Sequence, residues 1–237
     1  MSFRKLMFVA AVGSALAVAA PALPGQAAPS GGCPYPPNKP VMTFTVTPAT
    51  VYASHSVTQF GKMSQNGCGI KNASMIIQRR ALVSGKPSGS WTTLKTVTTN
   101  TNGVFSSTRF PMHNEQERVV FKAAGGYPGL TSSIVNVTVR THLSFNPTEP
   151  GSCNVHIVGR TIPKKAGRVV KIQSRGAKGH FNGWTTLWKT TTNSKGVYST
   201  THTLTCGKAY NLSALIGSDT TNSSGRARTI FGIKPVH

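Results

Sequence analysis

The chain has 237 residues, of which 26 are Lys or Arg and only 4 are Asp or Glu, so its formal net charge is +22. A surface this positive attracts anionic polymers, and four carboxylates leave little material for hydrolases that need paired acids. The length suits one larger domain or two small ones.

The chain begins with the pattern of a secretory signal peptide. Arg4 and Lys5 precede an apolar stretch over residues 6–20, and small residues at the expected cleavage point suit a signal peptidase. The apolar stretch is shorter than the roughly 20 residues that cross a bilayer. We therefore expect residues 1–27 to be removed on export, which leaves a Pro-rich N-terminal tail over residues 28–40.

An internal repeat follows the tail. Residues 91–108 align without a gap with residues 184–201, and eleven of these eighteen positions are identical. Upstream of these two segments, weaker matches between the same two parts of the chain follow in the same order. The repeat predicts two homologous units, 41–140 and 141–237.

Each unit has the pattern of short strands separated by turns. The strands are rich in Thr, Val and Ile, which suit a pleated surface, and Gly103 and Gly196 supply the positive φ that a tight hairpin needs. In the first unit the predicted strands are 41–47, 55–62, 73–80, 91–99, 104–111, 117–124 and 133–140. In the second they are 142–147, 153–160, 168–175, 184–192, 197–204, 208–216 and 226–232. Seven strands in about a hundred residues predict an all-β protein of two immunoglobulin-like sandwiches.

The order of motifs adds a family resemblance. In both units a basic strand ending in Gln-x-Arg precedes Trp-Thr-Thr-Leu, which leads into Thr-Thr-Asn-x-x-Gly-Val-Phe/Tyr-Ser. This pattern resembles the tandem immunoglobulin-like repeats of secreted actinobacterial proteins, and it covers nearly all of the chain after the signal. The resemblance implies a β-sandwich and export, and it supplies no catalytic residues.

Four cysteines allow three disulfide pairings. Cys153 opens the second strand of the second unit and Cys206 lies just before its sixth, so a bond between them would close one sandwich. Cys33 and Cys68 would then attach the Pro-rich tail to the first unit. Each closure is expected to add about 2–4 kcal/mol.

The alternative for two of these cysteines is a structural zinc site. Cys153 and His156, together with His202 and Cys206, have spacings that could supply four ligands. In an extended strand, however, residues 153 and 156 point to opposite faces, and an oxidising compartment favours disulfides. We therefore expect disulfides and no metal.

Catalytic patterns are weak. Glu115 and Glu117 lie in a turn-like Asn-Glu-Gln-Glu stretch and are expected to be solvated, and the sequence has no nucleophile elbow, P-loop or dinucleotide fingerprint. We expect no enzyme and no cofactor. The alternatives are a small secreted hydrolase or ribonuclease-like enzyme using histidine and lysine, and a structural or protein-interaction protein. The histidines, which do not match between the units, are His55, His113, His142, His156, His180, His202 and His237.

Binding is predicted on the outer sheet faces. Val170 and Ile172 alternate inward, so Lys171, Gln173 and Arg175 face outward. A merely soluble surface would mix both signs of charge, so an almost acid-free one favours an anionic partner. That partner is a cell-wall polymer, an acidic polysaccharide or a nucleic acid. The predicted polyanion-binding residues are Arg79, Arg80, Lys164, Lys165, Lys171, Arg175 and Lys178.

The tryptophans suggest a second kind of site. Trp91 and Trp184 occupy equivalent positions and are expected to pack as anchors inside the sandwiches. Trp188 has no counterpart, because Lys95 holds its place. Regular strand alternation would put Trp184 and Trp188 on one face, which predicts a flat platform for sugar rings.

Overall fold

The computed structural model describes residues 39–175 and 183–236, which fold into β-strands and connecting turns with no helix in these ranges. Within the same ranges no apolar helix reaches the length of a membrane span. The predicted features that lie outside the described residues are the signal peptide, tail positions 28–38, Cys33, Lys178, His180 and His237.

The first half of the described chain forms two packed sheets. Its strands are β1 (Val41–Thr47), β2 (Thr50–Tyr52), β3 (Val57–Gln65), β4 (Cys68–Gly69), β5 (Ser74–Val83), β6 (Lys86–Thr98), β7 (Val104–Arg109), β8 (Glu115–Phe121), β9 (Leu130–Thr131) and β10 (Val135–Arg140). One sheet has the order β1-β3-β4 with β7 also on β3, and the other has the order β2-β10-β8-β5-β6 with β9 on β8. The β2–β10 pair is parallel, and the other described pairs are antiparallel.

The second half repeats this arrangement. Its strands are β11 (His142–Leu143), β12 (Asn146–Gly151), β13 (Asn154–Ile162), β14 (Val169–Arg175), β15 (Trp184–Thr191), β16 (Val197–Thr203), β17 (Tyr210–Ile216), β18 (Gly225–Arg226) and β19 (Ile230–Ile233). One sheet has the order β11-β13-β12 with β16 on β13, and the other has the order β15-β14-β17-β18 with β19 on β17. The chain is therefore all-β and has two immunoglobulin-like sandwiches, as predicted.

Each sandwich encloses its own apolar core, built from the inward-facing residue of every strand pair. Met63, Ile77 and Val119 are fully buried in the first core, and Ile172 and Leu212 in the second. Burying such a side chain stabilises the fold by about 1.5–3 kcal/mol. The alternation of Val, Ile and Thr therefore specifies which face of each sheet turns inward.

A β-bulge recurs at the same place in both units. In the first, Ile77 pairs with Lys95 and Gln78 with Thr93, so Leu94 is the extra residue. In the second, Ile172 pairs with Trp188 and Gln173 with Thr186, so Leu187 is extra. A bulge interrupts the alternation of side chains between the two faces of a sheet. Residues before the Leu of Trp-Thr-Thr-Leu therefore lie on the opposite face from the one that counting back from the residues after it would predict.

The two sandwiches are joined by the docking loop, residues 217–224 between β17 and β18 of the second unit, which contacts the first unit. The backbone N–H groups of Ser84 and Asn114 donate to the carbonyls of Thr220 and Thr221, at 2.7 and 2.8 Å. Asn222 is 1% exposed and donates from its side chain to the Met112 carbonyl at 2.8 Å. These contacts fix the second unit against the first.

The carboxylate of Asp219 holds the docking loop in shape. It accepts hydrogen bonds from the backbone N–H groups of Thr221 and Asn222 at 2.8 and 2.9 Å, and Arg168 lies 3.3 Å away. Burial acts to raise the pKa of Asp219, but these hydrogen bonds and the charge of Arg168 outweigh it and hold that pKa below its ordinary value. The loop is therefore built around an ionised Asp219.

Candidate functional site

The outer face of the β5–β8 sheet in the first unit carries two arginines over one indole. The guanidinium carbon of Arg80 lies 4.6 Å from the centre of the Trp91 ring, and that of Arg118 lies 4.2 Å away. Stacking on an aromatic ring uses the face of a guanidinium and leaves its N–H edge for a ligand. Trp91 is therefore part of the outer surface, and the prediction that it anchors the core is wrong because the bulge at Leu94 turns it outward.

Hydrogen bonds hold both arginines in place. Arg80 Nε donates to Gln116 Oε1 at 2.7 Å, and the amide of Gln116 donates in turn to Asn136 at 2.9 Å. Arg118 Nε donates to Gln78 Oε1 at 2.9 Å. The Nε atom of each arginine thus donates to a side chain of the same sheet face. We call this set the arginine ladder; its members are Gln78, Arg80, Trp91, Gln116, Arg118 and Asn136.

The carboxylates of the chain are engaged elsewhere, so none of them neutralises the arginine ladder. Glu115 and Glu117 are buried and both pair with Arg109. Asp219 pairs with Arg168 in the docking loop, and Glu149 accepts the backbone N–H of Lys234 at 3.2 Å in the second unit. Because these are the four acids in the sequence, the solvent-facing side of the arginine ladder has no negative charge of its own.

The expectation that Glu115 and Glu117 are solvated is wrong. Both lie in β8 on its inward side, with 3% and 0% of their surface exposed. Gln59 donates to Glu117, and the half-buried Arg109 donates to it as well. Burial lowers the pKa of Arg109, while the charge of Glu117 acts in the opposite direction. A buried carboxylate requires such partners, and this group serves the stability of the first sandwich.

Arg79 and Arg80 are adjacent in sequence but lie on opposite sides of β5. Arg79 has the parity of the inward-facing Ile77, but its side chain is 49% exposed, and its Nη1 atom lies 3.5 Å from Glu115. Only Arg80 of this predicted pair therefore belongs to the arginine ladder.

The second unit has a simpler basic surface. Lys171 on β14 is exposed and lies directly opposite the exposed Lys189 on β15. Gln173, predicted to face solvent, is only 7% exposed, and its side-chain amide donates to Thr186 Oγ1 at 3.1 Å. Arg175 is half-buried at the end of β14.

Lys164 and Lys165 are exposed in the loop before β14. Lys165 lies 3.5 Å from Asp219 and is thus partly neutralised. Of the predicted lysines in the described part of this unit, Lys164 and Lys171 remain available to a partner.

The predicted sugar platform of Trp184 and Trp188 is not formed. The bulge at Leu187 places Trp188 opposite the buried Ile172, where it packs against the core and stacks on His202 at 4.4 Å between ring centres. Trp184 lies on the outer side, and the Arg226 guanidinium covers it at 4.4 Å. The two indoles therefore lie on opposite faces, and Trp184 is not a core anchor.

The cysteines among the described residues are disulfide-bonded. The Cys153–Cys206 bond is present as predicted, with the two Cα atoms 5.1 Å apart. Cys68 is disulfide-bonded as well, and its predicted partner, Cys33, lies outside the described residues. The Cys153–Cys206 bond takes up the sulfurs of the zinc alternative. Among the described residues there is no group of three or more His, Cys, Asp or Glu placed to hold a metal ion.

The described histidines have different surroundings. His156 Nε2 lies 3.0 Å from Ser199 Oγ in a sheet, and His113 contacts Asn222 at the docking loop. His55 and His142 lie together, with ring centres 5.2 Å apart. Sequence reasoning missed this last pair, because its members are 87 positions apart in the numbering and belong to different units.

The first unit therefore presents ordered arginines on the outer face of a β-sandwich. No protein-family model matches the chain, and no curated protein matches it. Among solved structures, the D0-D1 domain of intimin is 16% identical with a TM-score of 0.31, over 81% of this chain and 100% of that one.

Two further structures have comparable similarity. A tetra-tandem repeat from the extending region of a large adhesion protein is 13% identical with a TM-score of 0.31, over 82% of this chain and 49% of that one. Red sea bream transglutaminase is 13% identical with a TM-score of 0.39, over 83% of this chain and 31% of that one. Similarity at this level carries no conclusion about ligand or partner, since one fold hosts many functions.

Proposed function

We propose that the chain is an exported, non-catalytic binding protein that associates with anionic polymers of the cell envelope or its surroundings, acidic polysaccharides in particular. The arginine ladder is the main contact, and the exposed Lys164, Lys171 and Lys189 of the second unit extend it. The observation that carries the proposal is that Arg80 and Arg118 are held in place by neutral partners, while the four carboxylates are engaged elsewhere.

The fixed geometry of Arg80 and Arg118 supports binding rather than solubility alone. A solubilising cation keeps its side-chain freedom, and ordering a long side chain on binding costs about 0.5–1.5 kcal/mol. Here the Trp91 ring and the amides of Gln78 and Gln116 already order both arginines. Guanidinium groups that are ordered in advance bind carboxylate, sulfate or phosphate at a smaller entropic cost.

The covered indole favours polysaccharide over single-stranded nucleic acid. Proteins that bind single strands stack bases on open aromatic rings. Two guanidinium groups already lie over Trp91, and Arg226 lies over Trp184. The surface therefore offers charge and N–H donors, and guanidinium groups already occupy a face of each indole.

The test is the double variant Arg80→Gln/Arg118→Gln in the oxidised protein. Its matched control is Lys86→Gln/Arg160→Gln, which removes the same charge from exposed positions outside the arginine ladder. We expect the first variant to bind an immobilised polyuronate at least about tenfold more weakly than the control, with a smaller dependence on salt. Equal losses in both variants would show that the charge acts generically. Thermal unfolding of both variants checks that they fold.

A further inference from the structure

A cleft of about 490 Å³ lies where the two units meet. The first unit contributes Tyr52, at the end of β2, and His55, in the turn that follows. His142 comes from β11, just after the first sandwich, and Arg226 and Arg228 come from the segment around β18. Since both units supply its walls, the cleft exists only in the tandem.

Three neighbouring rings line this cleft. The ring centres of His55 and His142 are 5.2 Å apart, and Tyr52 lies 5.9 Å from His55 and 6.1 Å from His142. The turn is fixed because the His55 N–H donates to the Tyr52 carbonyl at 2.9 Å. Two imidazoles and a phenol, each with hydrogen-bonding capacity, are thereby clustered in the lining of the cleft.

Two arginines line the same cleft. Arg228 is exposed at the cleft, and the half-buried Arg226 has a buried Nη1 with no hydrogen-bond partner among the described residues. No carboxylate lines the cleft. The guanidinium of Arg226 also stacks on Trp184. A buried N–H without an acceptor is unfavourable, and an anion beside Nη1 would offset that cost.

We propose that this cleft binds a single oxyanion group (a sulfate, phosphate or carboxylate) among Arg226, Arg228, His55 and His142. A metal cation does not fit, because two guanidinium charges flank the imidazoles and no carboxylate balances them. The site is separate from the arginine ladder, so it goes beyond the proposed function and does not depend on it.

Protonation of His142 tunes the site. Burial, and secondly the neighbouring His55, lower the pKa of His142. The titratable and charged groups that face it are Tyr52, His55, Arg226 and Arg228. At neutral pH the neutral imidazole donates one N–H, and as the pH falls it gains a charge that attracts the anion. Anion affinity therefore rises with falling pH, and a bound anion raises the pKa of His142 in return.

The experiment is a sulfate titration of the full oxidised protein, followed by the imidazole NMR resonances. Sulfate keeps one charge state over the range used, so any pH effect belongs to the protein. We expect sulfate, but not chloride at equal ionic strength, to shift the His55 and His142 resonances saturably while those of His156 stay in place. Arg228→Gln should weaken binding about tenfold, and the control Arg160→Gln should not. Affinity should rise severalfold between about pH 7.5 and pH 5.5.

Two results would overturn the proposal: no saturable shift at His55 and His142, or unchanged sulfate affinity in Arg228→Gln. A short sulfated oligosaccharide distinguishes the source of the anion. If it displaces sulfate, the cleft takes the anionic group of a polymer; if it does not, the cleft takes the free ion. Arg80→Gln/Arg118→Gln leaves the cleft intact, so failure of the proposed function is measured separately.

Discussion

In both units a glycine faces the aromatic residue that follows the hairpin. Gly61 pairs with Phe105, and Gly159 pairs with Tyr198. A Cβ at either glycine would overlap the ring, and at Gly159 it would also meet the Ser144 carbonyl, to which the Tyr198 hydroxyl donates at 2.6 Å. The repeat retains glycine here because the ring lies directly across the strand.

Replacing Gly159 with alanine should destabilise the second sandwich by about 1–3 kcal/mol, the usual cost of overpacking. The ring of Tyr198 would have to move, which breaks its hydrogen bond to Ser144. The control is Gly217→Ala, where a Cβ meets nothing within 4 Å and φ is ordinary. Urea unfolding measures both; equal midpoints for the two variants would contradict the packing argument.

Single residues show where sequence reasoning fails. Glu115 and Glu117 sit in a locally polar stretch that is typical of a turn, yet they continue the inward alternation of Val119 and Phe121. That alternation was the available signal. What the stretch could not show is Arg109, the partner on another strand that makes the burial of two carboxylates tolerable.

At the scale of elements, the repeated bulge determines what each tryptophan does. Trp184 pairs with Arg175 on the outer side of β15, while Trp188 pairs with Ile172 on the inner side. The sugar platform was predicted from regular alternation, which one extra residue reverses. Bulges depend on pairing with a neighbouring strand, so the parity of an isolated segment does not reveal them.

Deleting Leu187 should be far more harmful than truncating it. Leu187 is 37% exposed, so Leu187→Ala should change stability by less than about 1 kcal/mol. Deletion forces either the partly buried Trp188 away from the core or Trp184 away from Arg226. Removing a fully buried tryptophan costs about 3–5 kcal/mol, which is an upper bound for this deletion. Thermal unfolding compares the two variants. A deletion variant as stable as Leu187→Ala would show that the bulge has no structural role.

At the scale of the whole molecule, the docking loop links charge to architecture. Asp219 organises the loop, and Arg168 joins it to the junction by donating to Thr141 Oγ1 at 2.8 Å and to the Gly217 carbonyl. Asp219, one of the four acids, thus serves the connection between the two sandwiches. It therefore does not neutralise the positive charge of the outer sheet faces.

The junction should therefore weaken in acid. The pKa of Asp219 is held below its ordinary value of about 3.9, so its contribution is complete above that value and is lost as the pH falls through the lower folded pKa. Asp219→Asn should be less stable than the native protein at pH 6, and the difference should disappear toward pH 2. Glu149→Gln, at an exposed position, is the control. A difference that persists in acid would contradict an ionised Asp219.

The sequence predicts the all-β class, the two-unit repeat, the hairpin glycines and the Cys153–Cys206 bond, because each depends on local pattern or on spacing within a unit. It does not predict the junction or the cleft. The Asn222 contacts to Met112 and His113 join residues 110 and 109 positions apart. Such contacts follow from how the two sandwiches pack, and neither repeat alone carries them. The limits of the two units, 41–140 and 141–237, stay a prediction.

The most direct test of the central claim is retention of the oxidised protein on four immobilised polymers across a salt series. The polymers are a polyuronate, a sulfated polysaccharide, duplex DNA and a neutral polysaccharide. We predict that the acidic polysaccharides retain the protein at a physiological ionic strength of about 0.15 M, that affinity falls linearly with the logarithm of salt concentration, and that the neutral polymer retains none. Equal, weak retention on every polyanion, lost below that ionic strength, would contradict a binding role for the arginine ladder.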